Sequence, residues 1–211
     1  MSAQTIYDEL RRAGMTHEGA CAMLGNMQCE SGIKANIAQR GMTKLTDAQY
    51  TKLFDANPER CISDGVGYGL CQWTYPARKR NLRQFARNWG VSVGAEDMQA
   101  AFAVEELKTE YANLWEYLCG TDELYTATER ICKEYERPAV NNVQARFDAA
   151  TEFAGSMEKQ CSAANENEAD MTVLIIQALL VLRGYSVELS GRGDGRTLEA
   201  LRDYMKTMEE K

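Results

Sequence analysis

Apolar residues recur at helical spacing along most of this chain. Leu107, Tyr111, Leu114 and Leu118 follow one another at four, three and four residues, and so do Val143, Phe147, Ala150 and Ala154. The pattern predicts a mostly α-helical protein. Thr46-Asp47-Ala48-Gln49 fits a capping box that opens a short helix through Tyr50, Leu53 and Phe54, and Pro76 suits the first position of a helix over Ala77 to Trp89. The only plausible extended piece is the glycine-bearing stretch from Ile62 to Trp73.

Composition shifts at Ser162-Ala163-Ala164-Asn165-Glu166-Asn167-Glu168, a small, polar, aromatic-free run that reads as a linker. The expected organisation is a domain over 1–160, a linker over 161–169 and a small helical module over 170–211. In the small module an apolar helix ends at Gly184, a loop holds Gly191, Gly193, Asp194 and Gly195, and Thr197 can cap a last helix carrying Leu198, Leu201 and Tyr204. No internal repeat relates the two parts.

Charge and cysteines narrow the function. Across 211 residues the net charge is −7, which argues against a general nucleic-acid binder, because phosphate neutralisation needs an excess of Lys and Arg. One helix is an exception: Arg78, Lys79, Arg80, Arg83 and Arg87 make either a solvated face or a contact with polyanions. The apolar run Val173 to Leu182 falls short of the ~20 residues that span a bilayer and is broken by Gln177, so no membrane insertion is expected. Arg11, Arg12 and Glu18 interrupt the start, and no signal peptide is read there. Cys21, Cys29, Cys61, Cys71, Cys119, Cys132 and Cys161 form no C-x-x-C pair and read as small buried apolar residues in a reducing compartment. His17 is the single histidine, so a histidine-based zinc site is almost excluded, and no metal or organic cofactor is expected.

The chemistry centres on Gly25-Asn26-Met27-Gln28-Cys29-Glu30-Ser31-Gly32. Glu30 falls in the last turn of a helix with a glycine stop behind it, where the negative end of the backbone dipole favours a protonated carboxyl. Such a group is a general acid. The loop Ser63 to Trp73 adds three glycines, Asp64, the aromatic Tyr68 and Trp73, and the amide of Gln72, which together suit a sugar chain. Tyr135-Glu136-Arg137-Pro138 ends a further helix and offers a second carboxylate.

These motifs in this order, G-N-M-Q-C-E-S-G, then G-Y-G-L-C-Q-W, then Y-E-R-P with Arg146 in the next helix, resemble the phage lysozyme group of tail-associated murein hydrolases and endolysins, distant relatives of goose-type lysozymes and lytic transglycosylases. The resemblance covers Thr5 to Met157. It implies a lysozyme-like helical fold, bacterial peptidoglycan as substrate, Glu30 as catalytic acid, and Tyr68, Gln72 and Trp73 along the sugar groove. Tyr135 and Glu136 are expected at the same groove. For the second catalytic group Asp64 ranks first among Asp64, Glu136 and Asp47, with Gln72 or a backbone carbonyl orienting water as the alternative. Gln177, Leu180, Gly184-Tyr185, Asp194-Gly195 and Thr197 resemble the small three-helix peptidoglycan-binding module of wall hydrolases. The expected protein is an endolysin held in the host cytoplasm until lysis. The alternatives are a virion-associated tail lysozyme and a non-catalytic wall-binding protein.

Overall fold

The structure, a computed structural model, describes residues 3–187 and 195–209, and within the helices every side chain except those at 160–172, 195, 196 and 209. The chain divides into two compact units, Met1–Gly155 and Ser156–Lys211. The helices are α1 (Ala3–Ala13), α2 (His17–Ser31), α3 (Asp47–Ala56), α4 (Pro58–Ile62), α5 (Pro76–Trp89), α6 (Glu96–Glu110), α7 (Ala112–Leu118), α8 (Leu124–Arg130), α9 (Val143–Leu182) and α10 (Gly195–Glu209), with a π-helical turn at Ile131–Glu136 between α8 and α9.

In the first unit α2 is the central element. Residues 19–27 are all buried, ringed by α1, α7, α8 and the π-helical turn. Its start is fixed by Thr16, whose hydroxyl accepts from the Gly19 N–H. It stops at Gly32, which takes the left-handed conformation (φ 63°) and returns its N–H to the Gln28 carbonyl. Glu30 therefore sits in a last helical turn with a glycine stop. Thr46 and Gln49 form the full reciprocal capping box of α3, and Pro76 occupies the start of α5. The periodicity from Leu107 to Leu118 spans two helices, because Tyr111 leaves helical geometry (φ −133°) between α6 and α7.

The stretch expected to be extended is helical through Ile62 and then forms a tight turn with two isolated β-bridges, Ala38 to Tyr68 and Tyr68 to Trp73. Tyr68 and Trp73 exchange both backbone hydrogen bonds, at 3.2 and 2.9 Å. Gly69 (φ 78°) faces the Gln99 side chain at a distance that leaves no room for a Cβ. Gln99, buried on α6, accepts from the Leu70 N–H at 2.9 Å and donates to the carbonyls of Ala35 and Val93 at 2.7 and 2.6 Å. One buried amide thus pins three loop segments whose polar backbone would otherwise go unpaired.

In the second unit Gln177 and Leu180 of α9 and Thr197 of α10 are buried, and the Gln177 amide donates to the Thr197 hydroxyl at 3.1 Å. Gly184 is left-handed (φ 88°), and Tyr185 meets the Tyr204 ring edge-on at 6.3 Å. Gly191, Gly193 and Asp194 lie outside the described residues. The stretch read as a linker, 161–169, has helical backbone within α9. No described helix is long and apolar enough to cross a membrane. Among the described cysteines Cys21, Cys61, Cys71 and Cys132 are buried as expected, whereas Cys29 is exposed and Cys119 half-buried.

Candidate active site

A cleft of about 810 Å³ opens in the first unit between the end of α2, the loop that follows it, the start of α5 and the end of the π-helical turn. Glu30 and Glu136 both line it, as does Gln72. Among the described residues three other than glycine have positive φ, and all lie at this cleft or next to it: Ile33 (58°), Gln72 (45°) and Arg137 (50°). Left-handed backbone is costly for such residues, a β-branched isoleucine above all, and persists where surrounding structure enforces it. Each strained residue ends a segment that delivers a cleft group: Ile33 follows α2, Gln72 closes the hairpin, and Arg137 caps the π-helical turn.

Glu30 is held from behind by Arg146. The Arg146 guanidinium donates to the Glu30 carboxylate at 2.5 Å and to the Asn26 side-chain oxygen at 3.1 Å, and its side chain is only 6% exposed against 17% for Glu30. Asn26 is itself buried and donates to the carbonyls of Ala22 and Thr128. Arg146 reaches this place because α9 crosses α2 at Gly25, where an added Cβ would collide with the Arg146 carbonyl and lie 2.7 Å from Ala150. Glu30 thus meets two opposing influences, the negative end of the α2 dipole and the nearly buried cation of Arg146.

Glu136 lies on the other side of the cleft in a different environment. It is half-buried, its Oε1 has no exposed surface and no hydrogen bond of proper geometry, and only the weak Cys71 thiol reaches toward the carboxyl. Burial first, and the charge of Glu30 second, push its carboxyl up to about 8 against the opposing pull of Arg78 and Arg146. Glu136 therefore carries a proton at neutral pH. Its position depends on the π-helical geometry of residues 131–136, a rare form that recurs at functional sites.

A buried acid on α6 braces this wall. Glu106 accepts from Trp73 Nε1 at 2.7 Å, from Tyr135 Oη at 2.8 Å, and from Arg78 through two hydrogen bonds at 2.8 and 2.7 Å. Arg78 also lies 4.6 Å over the Tyr135 ring. The carboxylate is thus fully satisfied, as a buried charge must be.

Four expected site residues are placed away from the cleft lining. Asp64 accepts from Lys79 Nζ at 2.8 Å, from Tyr50 Oη at 2.8 Å and from the Val66 N–H at 2.9 Å. It anchors the glycine loop to a fully buried lysine, and three of its four lone pairs are taken up within the fold. Tyr68 is fully buried, stacked on Tyr50 at 5.4 Å and hydrogen-bonded to Thr51 at 2.7 Å. Trp73 is fully buried against Phe102, and Tyr135 is buried against Glu106. The aromatic rings of the loop are therefore core rather than platform. Asp47, the third acid considered, accepts from the Ala38 N–H at 3.1 Å beside α3. Gln72 does line the cleft, but its amide donates to the Gly69 carbonyl at 2.9 Å and so braces its own turn.

The exposed aromatic at the cleft is Tyr75, 70% accessible and immediately before Pro76. Sequence reasoning passed over it, and over Glu106, Gln99 and the cations Lys34 and Arg40 of the cleft rim. The one sequence signal for Tyr75 is its place before a helix-opening proline, where its ring cannot fold into the helix.

Two carboxyls of contrasting environment at one cleft are compatible with cleavage of a glycosidic bond, which commonly uses such a pair. The chain matches the family described as phage tail lysozyme over residues 1–157, and it belongs to that family. Its substrate is accordingly the peptidoglycan of bacterial walls.

Proposed function

We propose that the protein cuts the glycan strands of peptidoglycan by general acid catalysis, with Glu30 and Glu136 as the two carboxyls that face the glycosidic bond. The observation that carries this reading is the shared cleft of an ion-paired carboxylate and a proton-bearing one. By resemblance Glu30 is the member that protonates the glycosidic oxygen, with the proton-bearing Glu136 beside it in the cleft. The developing oxocarbenium ion then lies between two acids, one of which becomes anionic as the proton leaves. Tyr75 offers a face for a pyranose ring.

Release of new glycan ends, reducing or anhydro, from purified walls tests the reading. Wild type should release them and Glu30→Gln should fall at least a hundredfold. Equal rates in the two proteins would exclude the role of Glu30. Mass spectrometry of the fragments names the reaction: a reducing muramic acid marks a muramidase, a reducing glucosamine a glucosaminidase, and an anhydro sugar a transglycosylase.

The second unit supports a free endolysin that waits in the host cytoplasm, because Gln177, Leu180, Tyr185 and Thr197, which resemble a wall-binding module, form one packed cluster there. The family description favours a second reading, a lysozyme carried on the tail of the virion. Immunoblots of purified particles separate the two.

A further inference from the structure

The protein is acidic, yet its cleft is not. Lys34, Arg40, Arg78 and Arg137 line the cleft, against only Glu30 and Glu136. Arg78 is spent on Glu106, Glu30 is paired with Arg146, and Glu136 is neutral while it holds its proton. Three cations remain without an acidic partner among the described residues: Lys34, Arg40 and Arg137. Lys34 and Arg40 are exposed, and Arg137 donates from Nε to the Glu134 carbonyl at 2.8 Å and lies 5.8 Å over the Tyr111 ring, with no anion paired to it among the described residues. Their backbone is fixed locally, since Gly32 and Ile33 turn left-handed just before Lys34, Gly41 does so just after Arg40, and Arg137 is itself left-handed. Neutral sugar hydroxyls can accept from such groups, but a carboxylate pairs with them more strongly, through charge-assisted hydrogen bonds.

We propose that the cleft selects glycan strands bearing pendant carboxylates, which Lys34, Arg40 and Arg137 engage while Glu30 and Glu136 face the sugar bridge. This rests on the wall-hydrolase reading above and specifies its substrate. Peptidoglycan can present such carboxylates in two ways, as the free acids of its peptide stems or as the lactyl acid of a muramic residue stripped of its stem. Guanidinium pairs with either by two parallel hydrogen bonds, and the attraction of exposed pairs fades with salt. The basic residues of α5 are not the source of this selectivity: Lys79 is fully buried on Asp64, and Arg83 donates to the Asp55 carbonyl.

The test compares kcat/KM of wild type on soluble glycan strands with that on the same strands after amidation of their carboxylates. Amidation should lower kcat/KM at least tenfold at low salt, chiefly through KM. In Lys34→Gln/Arg40→Gln/Arg137→Gln that ratio should shrink to within twofold, and Arg40→Lys should keep most of it. The double variant Lys34→Gln/Arg40→Gln, confined to exposed positions, should give an intermediate ratio and covers the case in which the triple variant does not fold. Strands with stems and strands stripped by an amidase are run in parallel, and whichever loses more on amidation identifies the source of the carboxylate. A ratio near one in wild type, or a ratio unchanged in both the triple and the double variants, overturns the proposal. If no strand yields new reducing or anhydro ends, the glycan-cleavage reading has failed by itself, and co-sedimentation of wild type with native and amidated strands then decides the selectivity by the same ratio.

Discussion

Asp64 illustrates how an acid in a glycine loop can be engaged by the fold. Its carboxylate meets a lysine with no accessible surface, and Lys79 in turn donates to Asp64, the Tyr50 hydroxyl and the Val66 carbonyl, satisfying all three of its N–H bonds. Asp64→Asn leaves that lysine without its anion, and thermal unfolding should show a loss on the order of 2–3 kcal/mol, below the value for a wholly buried pair because Asp64 keeps some exposure. The kcat of the folded variant, measured well below its Tm, should stay within a few-fold of wild type; a thousandfold loss at unchanged Tm would return Asp64 to the chemistry. Glu136 gives a second residue-scale signature. In the folded protein its carboxyl titrates at about 8 against 4.5 for a free one, so the folded state holds a proton through a pH window where the unfolded chain has lost it. That contribution is complete below about 4.5 and vanishes as pH rises through about 8. The Tm of Glu136→Gln should therefore gain on that of wild type between pH 5 and 8.5, and parallel Tm curves would contradict the assignment.

Among the elements, α2 and α9 carry the decisive contact. Gly25 lets the two helices approach until Arg146 lies over the end of α2, and an alanine there would drive a Cβ into the Arg146 backbone. Gly25→Ala should cost about 1–3 kcal/mol in thermal unfolding and lower activity more than stability alone explains, because Arg146 is displaced from Glu30. An unchanged rate would mean that the ion pair is dispensable. What could be read along the chain follows the same division between local and distant causes. The end of α2, its glycine stop and the Thr46 capping box are set by neighbours within four residues, and the sequence alone specifies them. The pairing of Glu30 with a residue 116 positions away is not local, and neither is the convergence of Trp73, Arg78 and Tyr135 on Glu106. Tyr68 and Trp73 resembled a sugar platform because their loop is glycine-rich; burial against α3 and α6 is a tertiary outcome that spacing does not encode. The π-helical turn that places Glu136 likewise leaves no mark in apolar periodicity.

At the scale of the whole molecule, an acidic chain of net charge −7 encloses a cleft whose unpaired charges are positive. This division matches an enzyme that works on an anionic polymer while a proton is held on Glu136 in the cleft. The first unit contains every residue of the cleft, and the family match ends at residue 157, close to the end of that unit. The proton held on Glu136 beside the catalytic Glu30 is most directly tested by the pH dependence of kcat/KM for wild type and Glu136→Gln on the same soluble strands. Wild type should stay active up to a limb near pH 8, where Glu136 loses its proton. In Glu136→Gln that limb should be absent, because the group that titrates there has gone. A limb at the same pH in both proteins would show that Glu136 does not hold the titrating proton.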